Sequence, residues 1–596
     1  MIQERLARLR SIMKERSIDA YLVPTDDFHC SEYVGDYFKC RKYITGFTGS
    51  AGTAVILMEE AGLWTDGRYF LQAGMQLKGT GVELYKMAEP GVPTVNEFLK
   101  EKLSEGMTLA YDGRVMAAKK AEDIKAIMAK KNVKVETEMD LIGEIWEDRP
   151  ALSAEPAFEL SEEWSGKLRV DKIAEIREAM KTAGCDGFLL SALEDINWLL
   201  NIRGNDIHCC PVVLSYLYMT QEKLVLFVNE TVFSEEIKNN LTEDGIELMP
   251  YNAVYEYVKE LPQGITVLVD KNKLNDALLS AIPGGVSVKD GMNLTQMPKA
   301  IKNSVEIQHE RDAHIKDGVA VTKFIYWMKK NVGKTEITEL SAAEKLLEFR
   351  KAQKGFLEES FDPIIAYGPH AAIIHYSPTE ESDVPFQAKG MVLCDTGGHY
   401  LEGSTDITRT VVLGPVTEEE KEYFTRVLRG NLNLGAVKFR HGCTGINLDI
   451  LAKAPLWEIG EDYNHGTGHG VGYILSVHEG PNSVRWKHLP GHGPVTVFEE
   501  GMLTSNEPGY YKAGAFGIRH ENMMVCQKEE ATEYGQYMSF ETLTMVPFDI
   551  EGIEPSLLNT REKKVLNAYH EQVYETISPY LEEEEKAWLA EVTAAI

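Results

Sequence analysis

The feature that most restricts the fold is an internal repeat. When the segment beginning at Arg5 (RLARLRSIMKERSIDAYLV) is laid over the one beginning at Lys172 (KIAEIREAMKTAGCDGFLL), identical residues recur along it. The matching pairs are Ala7 and Ala174, Arg10 and Arg177, Met13 and Met180, Lys14 and Lys181, Asp19 and Asp186, and Leu22 and Leu189. Each copy predicts an amphipathic helix followed by an apolar strand. We therefore predict two related α/β units in tandem, with chance similarity of two helix–strand pairs as the alternative.

The other boundaries follow from composition and periodicity. The stretch 150–156 (PALSAEP) is typical of a linker. A second boundary near 297–303 precedes a long helical pattern from Val305 to Lys330. We therefore predict a mixed α/β (α+β) chain of three units, at 1–153, 154–300 and 301–596. The last unit is predicted to include a helix capped by Thr560 and broken at Pro579.

Charge and cysteine usage limit the function classes. A net charge of −30 repels phosphate backbones and anionic lipids, so we expect neither nucleic acid nor a membrane as a partner. The charged residues within 1–14 interrupt any signal-like apolar stretch, although removal of a signal is the alternative. The eight cysteines are scattered without a C-x-x-C pair. This pattern favours a reducing, cytoplasmic compartment over a disulfide framework or a cysteine zinc site.

Two aspartates lie at the ends of strand-like segments in the third unit. Asp395 follows the apolar residues MVLC, and Asp406 precedes ITRTVVL. Two antiparallel strands joined by a short turn would bring both carboxylates to one site. An aspartate in D-T-G-G is more often a turn residue when taken alone.

A glycine-rich segment carries two histidines, and a third follows it. In NHGTGHGVG, His465 and His469 have the spacing that would hold zinc on a helix. Its four glycines would each cost a helix about 1 kcal/mol relative to alanine, so we predict extended backbone. His478 follows in VHEGP. A lone histidine is usually structural, but this concentration favours a functional site.

Two glutamates complete a candidate metal centre. Glu507 stands before Pro508, which disfavours helical backbone, and Glu521 lies between Arg519 and Asn522 in a strand-like run. With Asp395, Asp406 and His469 they form four carboxylates and one imidazole, which two divalent cations would neutralise. Oxygen-rich ligation favours hard ions such as Mn²⁺. Two ions about 3.5–4 Å apart can share a nucleophilic hydroxide, so the inferred reaction class is hydrolysis.

At these residues the sequence resembles the pita-bread metallopeptidases, specifically the long, three-domain Xaa-Pro aminopeptidase (aminopeptidase P) family. The resemblance covers nearly the whole chain, and its motifs are WTDGRYF, WLLNIRG, AIIHYSP, HGTGHGVG, VHEGP, EPGYY and FGIRHEN. It implies two creatinase-like domains followed by a pita-bread catalytic domain with a C-terminal helical extension. The implied activity is hydrolysis of the N-terminal Xaa-Pro peptide bond by a hydroxide that two metal ions activate.

The resemblance also implies a role for each site residue. Asp395 would bind one ion, Asp406 and Glu521 would bridge both, and His469 with Glu507 would complete the other. The ions would be Mn²⁺, with Zn²⁺ or Co²⁺ as alternatives, and Glu507 would also be the general base or proton shuttle.

Four further residues would surround the substrate. His375 and His478 would contact the reacting amide and stabilise the tetrahedral intermediate. His465 would line the proline pocket, and Arg519 would orient a metal carboxylate beside the substrate.

Departures from the family pattern affect specificity more than chemistry. Asn506 stands where relatives often have Asp, His520 where an aliphatic residue is common, and His370 where Asn is usual. These departures leave substrate preference and pH optimum open. The C-terminal helix from about Thr560 resembles a segment of the dimeric long form and implies a homodimer.

Three rival functions agree less well with these residues. A catalytically dead relative that binds proteins would lose metal ligands, and creatinase-like C–N hydrolysis uses no metal, whereas all five ligand positions here are competent. Prolidase, which cuts the dipeptide Xaa-Pro, differs in lacking the extra N-terminal domain, which could limit the peptides that enter.

Overall fold

The chain folds into two units, and the structure, a computed structural model, describes residues 1–488 and 495–596. Unit 1 contains residues 1–160 and 167–295, and unit 2 contains residues 161–166 and 296–596. The predicted boundary at 153–154 falls inside unit 1, so the three-domain division stays a prediction. Within the described ranges, no helix is both long and apolar enough to cross a membrane.

The first part of unit 1 is a six-stranded sheet with six helices. Its strands are β1 (Ala20–Pro24), β2 (Thr53–Leu57), β3 (Ala61–Thr65), β4 (Glu83–Lys86), β5 (Thr108–Ala110) and β6 (Lys134–Glu136). Its helices are α1 (Ile2–Glu15), α2 (Cys40–Thr45), α3 (Phe70–Gln76), α4 (Val95–Lys102), α5 (Ala118–Ala129) and α6 (Leu141–Ile145). The order is β4-β3-β2-β1-β5-β6, and only the pairs β1–β2 and β2–β3 are antiparallel.

The second part of unit 1 contains another six-stranded sheet. The strands of this part, six of which form the sheet, are β7 (Phe158–Glu159), β8 (Gly187–Leu190), β9 (Ile202–Arg203), β10 (Ser215–Met219), β11 (Leu224–Val228), β12 (Ile246–Pro250), β13 (Thr266–Val269) and β14 (Ser287–Asp290). The helices are α7 (Glu162–Ser165), which belongs to unit 2, α8 (Arg169–Ala183), α9 (Leu193–Leu200), α10 (Glu235–Glu243), α11 (Val254–Lys259) and α12 (Asp276–Ala281). The sheet order is β12-β11-β10-β8-β13-β14, while β7 and β9 pair separately.

The two sheets confirm the predicted duplication. Both sheets have the same order and the same alternation of parallel and antiparallel pairs. The repeat corresponds to α1–β1 in the first copy and α8–β8 in the second. Helix α1 buries Leu6, Leu9 and Met13, and α8 buries Ile173, Ile176 and Met180 at the equivalent positions. The same apolar stripe therefore packs each helix in its own copy.

Unit 2 combines long helices with several small sheets. The helices are α13 (Gln296–Ala300), α14 (Ser304–Asn331), α15 (Glu339–Lys351), α16 (Glu418–Gly435), α17 (Gly445–Trp457), α18 (Thr560–Ile577) and α19 (Glu583–Val592). The strands are β15 (Phe356–Glu359), β16 (Ile364–Tyr367), β17 (Met391–Thr396), β18 (Gly398–Tyr400), β19 (Gly403–Ser404), β20 (Ile407–Val412), β21 (Lys438–Arg440), β22 (Gly468–Gly470), β23 (Glu479–Val484), β24 (Leu503–Asn506), β25 (Gly509–Lys512), β26 (Phe516–Arg519), β27 (Asn522–Lys528) and β28 (Tyr537–Thr542). The sheets have the orders β16-β17-β20, β21-β28-β27-β24, β15-β18-β19, β22-β23 and β25-β26.

Side-chain caps decide where two helices of unit 2 begin. Asn303 accepts hydrogen bonds from the backbone of Val305 and Glu306, so α14 begins within one residue of its predicted start. Helix α18 is capped by Asn559, and the predicted cap Thr560 is wrong. Asn559 is the cap because Glu562 lies three residues after it and completes a capping box.

Helix α18 is part of the core of unit 2. Its apolar stripe, which includes Leu566, Val573 and Ile577, is buried in the core of unit 2, where the helix packs against α14 and α16. Tyr569 on the same stripe accepts a hydrogen bond from Arg409 Nη2 at 2.9 Å. Arg409 also donates to the carbonyl oxygens of Val546 and Glu521. The helix thus completes the hydrogen bonding of a buried arginine on β20.

Candidate metal centre

The three-stranded sheet β16-β17-β20 positions the two aspartates. Asp395 is the penultimate residue of β17, Asp406 immediately precedes β20, and Asp395 lies opposite Thr408 in the antiparallel pairing. The predicted antiparallel strands are confirmed. The predicted short turn is wrong, because the chain between them forms β18 and β19, which pair with each other and join β15 in another sheet.

Glu521 joins these aspartates from the connection between β26 and β27. Its backbone N–H donates to Thr408 O at 3.0 Å, and its carboxylate Oε2 accepts from Thr408 Oγ1 at 2.8 Å. Thr408 therefore holds both the main chain and the side chain of Glu521 in place.

His469 and Glu507 approach from two further strands. His469 is the central residue of β22, and its N–H donates to Ser505 Oγ on β24 at 3.0 Å. A Cβ at Gly468 would collide with Ser505 O, so only glycine allows these strands to lie so close. Glu507 follows β24, and its N–H donates to Thr467 O at 2.8 Å. The predicted extended backbone is confirmed.

The side chains of the candidate ligands lie close together around His469. His469 Nε2 lies 3.5 Å from Asp406 Oδ2 and 3.4 Å from Glu507 Oε1. Its Nδ1 donates to Gly470 O at 3.0 Å, which leaves the Nε2 lone pair directed at the carboxylates. One ligand atom each from Asp406, His469 and Glu521 lie within 4.8 Å of one another.

Burial and mutual repulsion disturb these carboxylates. Burial raises the pKa of Asp406 and Glu521 well above their usual values, and the neighbouring carboxylates raise both further. Burial also raises the pKa of Glu507 to about 7, against the opposing effect of Arg519. Asp395 Oδ1 is buried and has no hydrogen-bond partner. Oxygen donors that repel one another, one of them with an unsatisfied atom, fit a site for divalent cations.

Arg519 connects the carboxylates to His465. Its Nη2 donates to Asp395 Oδ2, and its Nη1 donates to Tyr511 OH at 2.7 Å. The Tyr511 hydroxyl in turn donates to His465 Nε2 at 2.9 Å, while His465 Nδ1 donates to Gly466 O at 2.8 Å. Burial lowers the pKa of His465 well below its usual value, so this imidazole is neutral. Sequence reasoning missed Tyr511, although it lies within the EPGYY motif.

The remaining two histidines lie on connections beside the cluster. His478 precedes β23, and its ring centroid is 4.4 Å from that of His469 in an edge-on arrangement. His375 is half-buried in a turn, and the preceding Ile374 carbonyl accepts a hydrogen bond from Arg519 Nη2 at 3.4 Å. The structure therefore brings the turn of His375 to the arginine that holds Asp395.

The three departures from the family pattern are tied into packing. His370 Nδ1 is 2.9 Å from Glu339 Oε1, and its ring stacks on Tyr376. Asn506 exchanges two amide-to-carbonyl hydrogen bonds with Asn431. His520 is buried with its ring centroid 4.3 Å from that of Phe424, and burial lowers its pKa to about 3.

Family models match almost the whole chain. The Creatinase/Prolidase N-terminal domain matches twice, at residues 5–142 and 148–306. Metallopeptidase family M24 matches residues 308–528, and the C-terminal region of peptidase_M24 matches residues 536–596.

Full-length relatives support the same relationship. The chain is 37% identical to "Aminopeptidase P2" of Arabidopsis thaliana, over 98% of this chain and 87% of that one. It is 38% identical to "Probable Xaa-Pro aminopeptidase P" of Laccaria bicolor, over 98% and 92% of the two chains. The X-prolyl aminopeptidase from Caenorhabditis elegans, described as a cytosolic enzyme with a di-nuclear active site, is 33% identical over 100% of both chains, with a TM-score of 0.94.

Proposed function

The chain belongs to the Xaa-Pro aminopeptidases of metallopeptidase family M24, and on that premise we propose that it releases the N-terminal residue from peptides whose second residue is proline. The observation that carries the proposal is the convergence of Asp406, His469 and Glu521 on one point, with Asp395 and Glu507 beside them. This donor set is that of a hydrolytic metal centre rather than of a binding module.

The proposed centre holds two divalent cations. Asp395 would bind one ion, His469 with Glu507 the other, and Asp406 with Glu521 would bridge them. Mn²⁺ is the ion we favour, because oxygen donors outnumber the single nitrogen. When bound, the two cations would polarise the scissile carbonyl and supply a hydroxide nucleophile at neutral pH.

The chain's own residues would move the protons and bind the amide. Burial raises the pKa of Glu507 to about 7, so this carboxylate would take a proton from the attacking water and pass it to the proline nitrogen. His478, at the edge of the His469 ring, would donate a hydrogen bond to the oxygen that becomes negative in the tetrahedral intermediate. His375 is proposed to contact the same amide from its turn.

Proline selectivity would come from the wall formed by His465. The hydrogen bonds from Tyr511 and to Gly466 fix this imidazole as a neutral, rigid ring, suited to an uncharged pyrrolidine. A tertiary Xaa-Pro amide has no N–H to donate. A pocket that offers no hydrogen-bond acceptor at this position therefore leaves no donor of a proline substrate unpaired. The nearby carboxylates would attract the free α-ammonium group of the substrate.

The test compares three peptides at fixed Mn²⁺ concentration. We expect kcat/KM to be highest for Arg-Pro-Pro and to fall sharply for both Arg-Ala-Pro and acetyl-Arg-Pro-Pro. Equal values for the proline and alanine peptides would refute proline specificity. Equal values for the free and acetylated peptides would refute the aminopeptidase assignment. Elemental analysis of the same preparation should find two divalent ions per chain.

We also propose a cytosolic homodimer. The apolar stripe of α18 is buried inside unit 2, so a dimer contact through this helix would use its exposed residues instead. Trp457 and Trp486 are 38% and 49% exposed, with ring centroids 6.5 Å apart, and form an aromatic pair on the surface of unit 2. Light scattering after size exclusion should give twice the chain mass, and a monomer mass would refute the dimer. Six cysteines are free thiols, which is compatible with the cytosol: Cys30, Cys40, Cys185, Cys394, Cys443 and Cys526.

A further inference from the structure

A buried carboxylate in unit 2 is held by two buried lysines. The side chain of Glu479 is 3% exposed, and those of Lys299 and Lys302 are 7% and 1% exposed. Lys299 Nζ donates to Glu479 Oε2 at 3.0 Å, while Lys302 Nζ donates to the other oxygen, Oε1. Lys302 Nζ also donates to Lys299 O at 3.1 Å, which links the two lysines. We call these three residues the lysine clamp.

The lysine clamp acts on the backbone that carries two site histidines. Glu479 directly follows His478 and begins β23, where it lies opposite Gly470 in the pairing with β22. Gly470 directly follows His469, and a Cβ on Gly470 would collide with Glu479 O. The main chain of Glu479 is thus in tight contact with the strand of His469, while its side chain is fixed by both lysines.

Two lysines hold the Glu479 carboxylate differently from one lysine. A single ammonium group would leave the carboxylate free to rotate about its terminal bond, whereas a separate charged donor on each oxygen fixes its plane. Burying a second ammonium is costly, and buried ion pairs are weak evidence for stability by themselves. The second lysine is therefore explained better by geometry than by stability.

Charges on α14 complete the surroundings of the lysine clamp. Glu306 and Glu310 lie on this helix, and both are buried. Burial raises the pKa of Glu310 well above its usual value, Lys302 opposes that rise, and Glu306 and Glu479 add to it. The ammonium of Lys302 thus lies near several carboxyl groups, and Glu479 accepts one of its hydrogen bonds.

We propose that Lys299 and Lys302 are positioning residues for the reaction, which fix Glu479 and thereby hold His478 in place beside the reacting amide. This inference rests on the proposed function, in which His478 stabilises the intermediate. A displacement of about 1 Å at such a group lowers the rate by as much as about 100-fold, so loss of one lysine should affect kcat.

The test replaces Lys299 by methionine, which is an unbranched side chain of similar length without the positive charge. We expect Lys299→Met to keep its metal content and KM, while kcat falls between about 10- and 100-fold. The matched control is Lys172→Met in unit 1, because Lys172 is also buried and donates to Trp198 O at 3.0 Å and Asn201 Oδ1 at 2.7 Å. The control should lower the melting temperature and leave kcat unchanged. An equal fall in kcat for both variants would overturn the proposal.

A double-mutant cycle separates positioning from general damage. If Lys299 acts through His478, Lys299→Met should have no further effect on kcat in a His478→Ala background. If the two fold-changes instead multiply, the lysine acts independently of His478 and the proposal is wrong.

A structural measurement decides the proposal independently of the substrate. Crystal structures of the wild type and of Lys299→Met should show the His478 ring displaced relative to His469, or without a single position. An unmoved ring would overturn the inference even if the enzyme cleaves Xaa-Pro peptides as proposed. A displaced ring in a protein that does not cleave them would instead refute the proposed function alone. If Lys299→Met does not fold, Lys299→Gln, which keeps a donor, serves in the same measurements.

Discussion

The affinity for metal should depend strongly on one hydroxyl group, that of Thr408. Its Oγ1 donates to Glu521 Oε2 at 2.8 Å and accepts from Arg519 Nε at 3.3 Å. Thr408→Val keeps the branched shape of a fully buried strand residue and removes only this hydroxyl. Glu521 would then lose its orienting donor, while Arg519 would keep its bonds to Asp395 and Tyr511.

The magnitude follows from the charge of the acceptor. A hydrogen bond to a charged group contributes about 1.5–3 kcal/mol, and a tenfold change in affinity corresponds to about 1.4 kcal/mol. The variant should therefore bind its metal ions about 10- to 100-fold more weakly. Loss of a residue that hydrogen-bonds to a metal ligand lowers metal affinity by a similar factor in other proteins.

The assay is equilibrium competition between the metal-free protein and a chromophoric chelator at neutral pH. Thr425→Val on α16 is the matched control, because Thr425 is also buried and its hydroxyl donates to Lys421 O at 2.7 Å, away from the carboxylates. Both variants should lose some stability, but only Thr408→Val should lose affinity. Wild-type affinity in Thr408→Val would refute the orienting role of the hydroxyl.

Three further outcomes are expected. Asp406→Asn should lose both metal ions and nearly all activity, because a neutral amide cannot replace a carboxylate shared by two cations; an active variant with two tightly held ions by elemental analysis would contradict this. His375→Ala should keep its metal content while kcat falls by about 10²–10⁴, and parallel loss of metal would move His375 into the coordination shell. Burial lowers the pKa of His29 to about 4, so the folded state binds fewer protons and loses stability as the pH falls from 6.5 towards 4. Urea unfolding at pH 7.5 and pH 5 should show the wild type losing about 2 kcal/mol more than His29→Gln, and equal losses would show that His29 is not responsible.

Local patterns predicted the elements of the fold well. The stripe of α1 and α8 recurs in the sequence and in the buried residues, and the glycines around His469 correctly indicated extended backbone. The connection between β17 and β20 could not be predicted, because β18 and β19 are too short to show a period. The cap of α18 was missed by one residue, since both Asn559 and Thr560 are good caps and only Glu562 distinguishes them.

Contacts between residues that are distant in the sequence could not be predicted from sequence patterns. Thr408 contacts Glu521 across 113 positions of the sequence, and Lys302 contacts Glu479 across 177. No spacing or composition marks such pairs, because they depend on how separate sheets pack. The candidate ligands stood out only because several titratable residues occurred at strand ends, and their supporting partners have no comparable signal.

The contact between Tyr569 and Arg409 has a consequence for biosynthesis. The two residues are 160 positions apart in the sequence, yet the guanidinium of Arg409 lies against the backbone of Glu521 and is buried. While a ribosome is still translating the codons between them, the nascent chain lacks the Tyr569 hydroxyl that accepts a hydrogen bond from Arg409. All the strands of unit 1 have been synthesised by then. Unit 1 can therefore fold during translation, as N-terminal domains generally do. The buried arginine of β20 must wait for α18, and a stop codon between residues 522 and 568 would leave a chain that encodes all five proposed ligands but lacks the phenol that Arg409 binds.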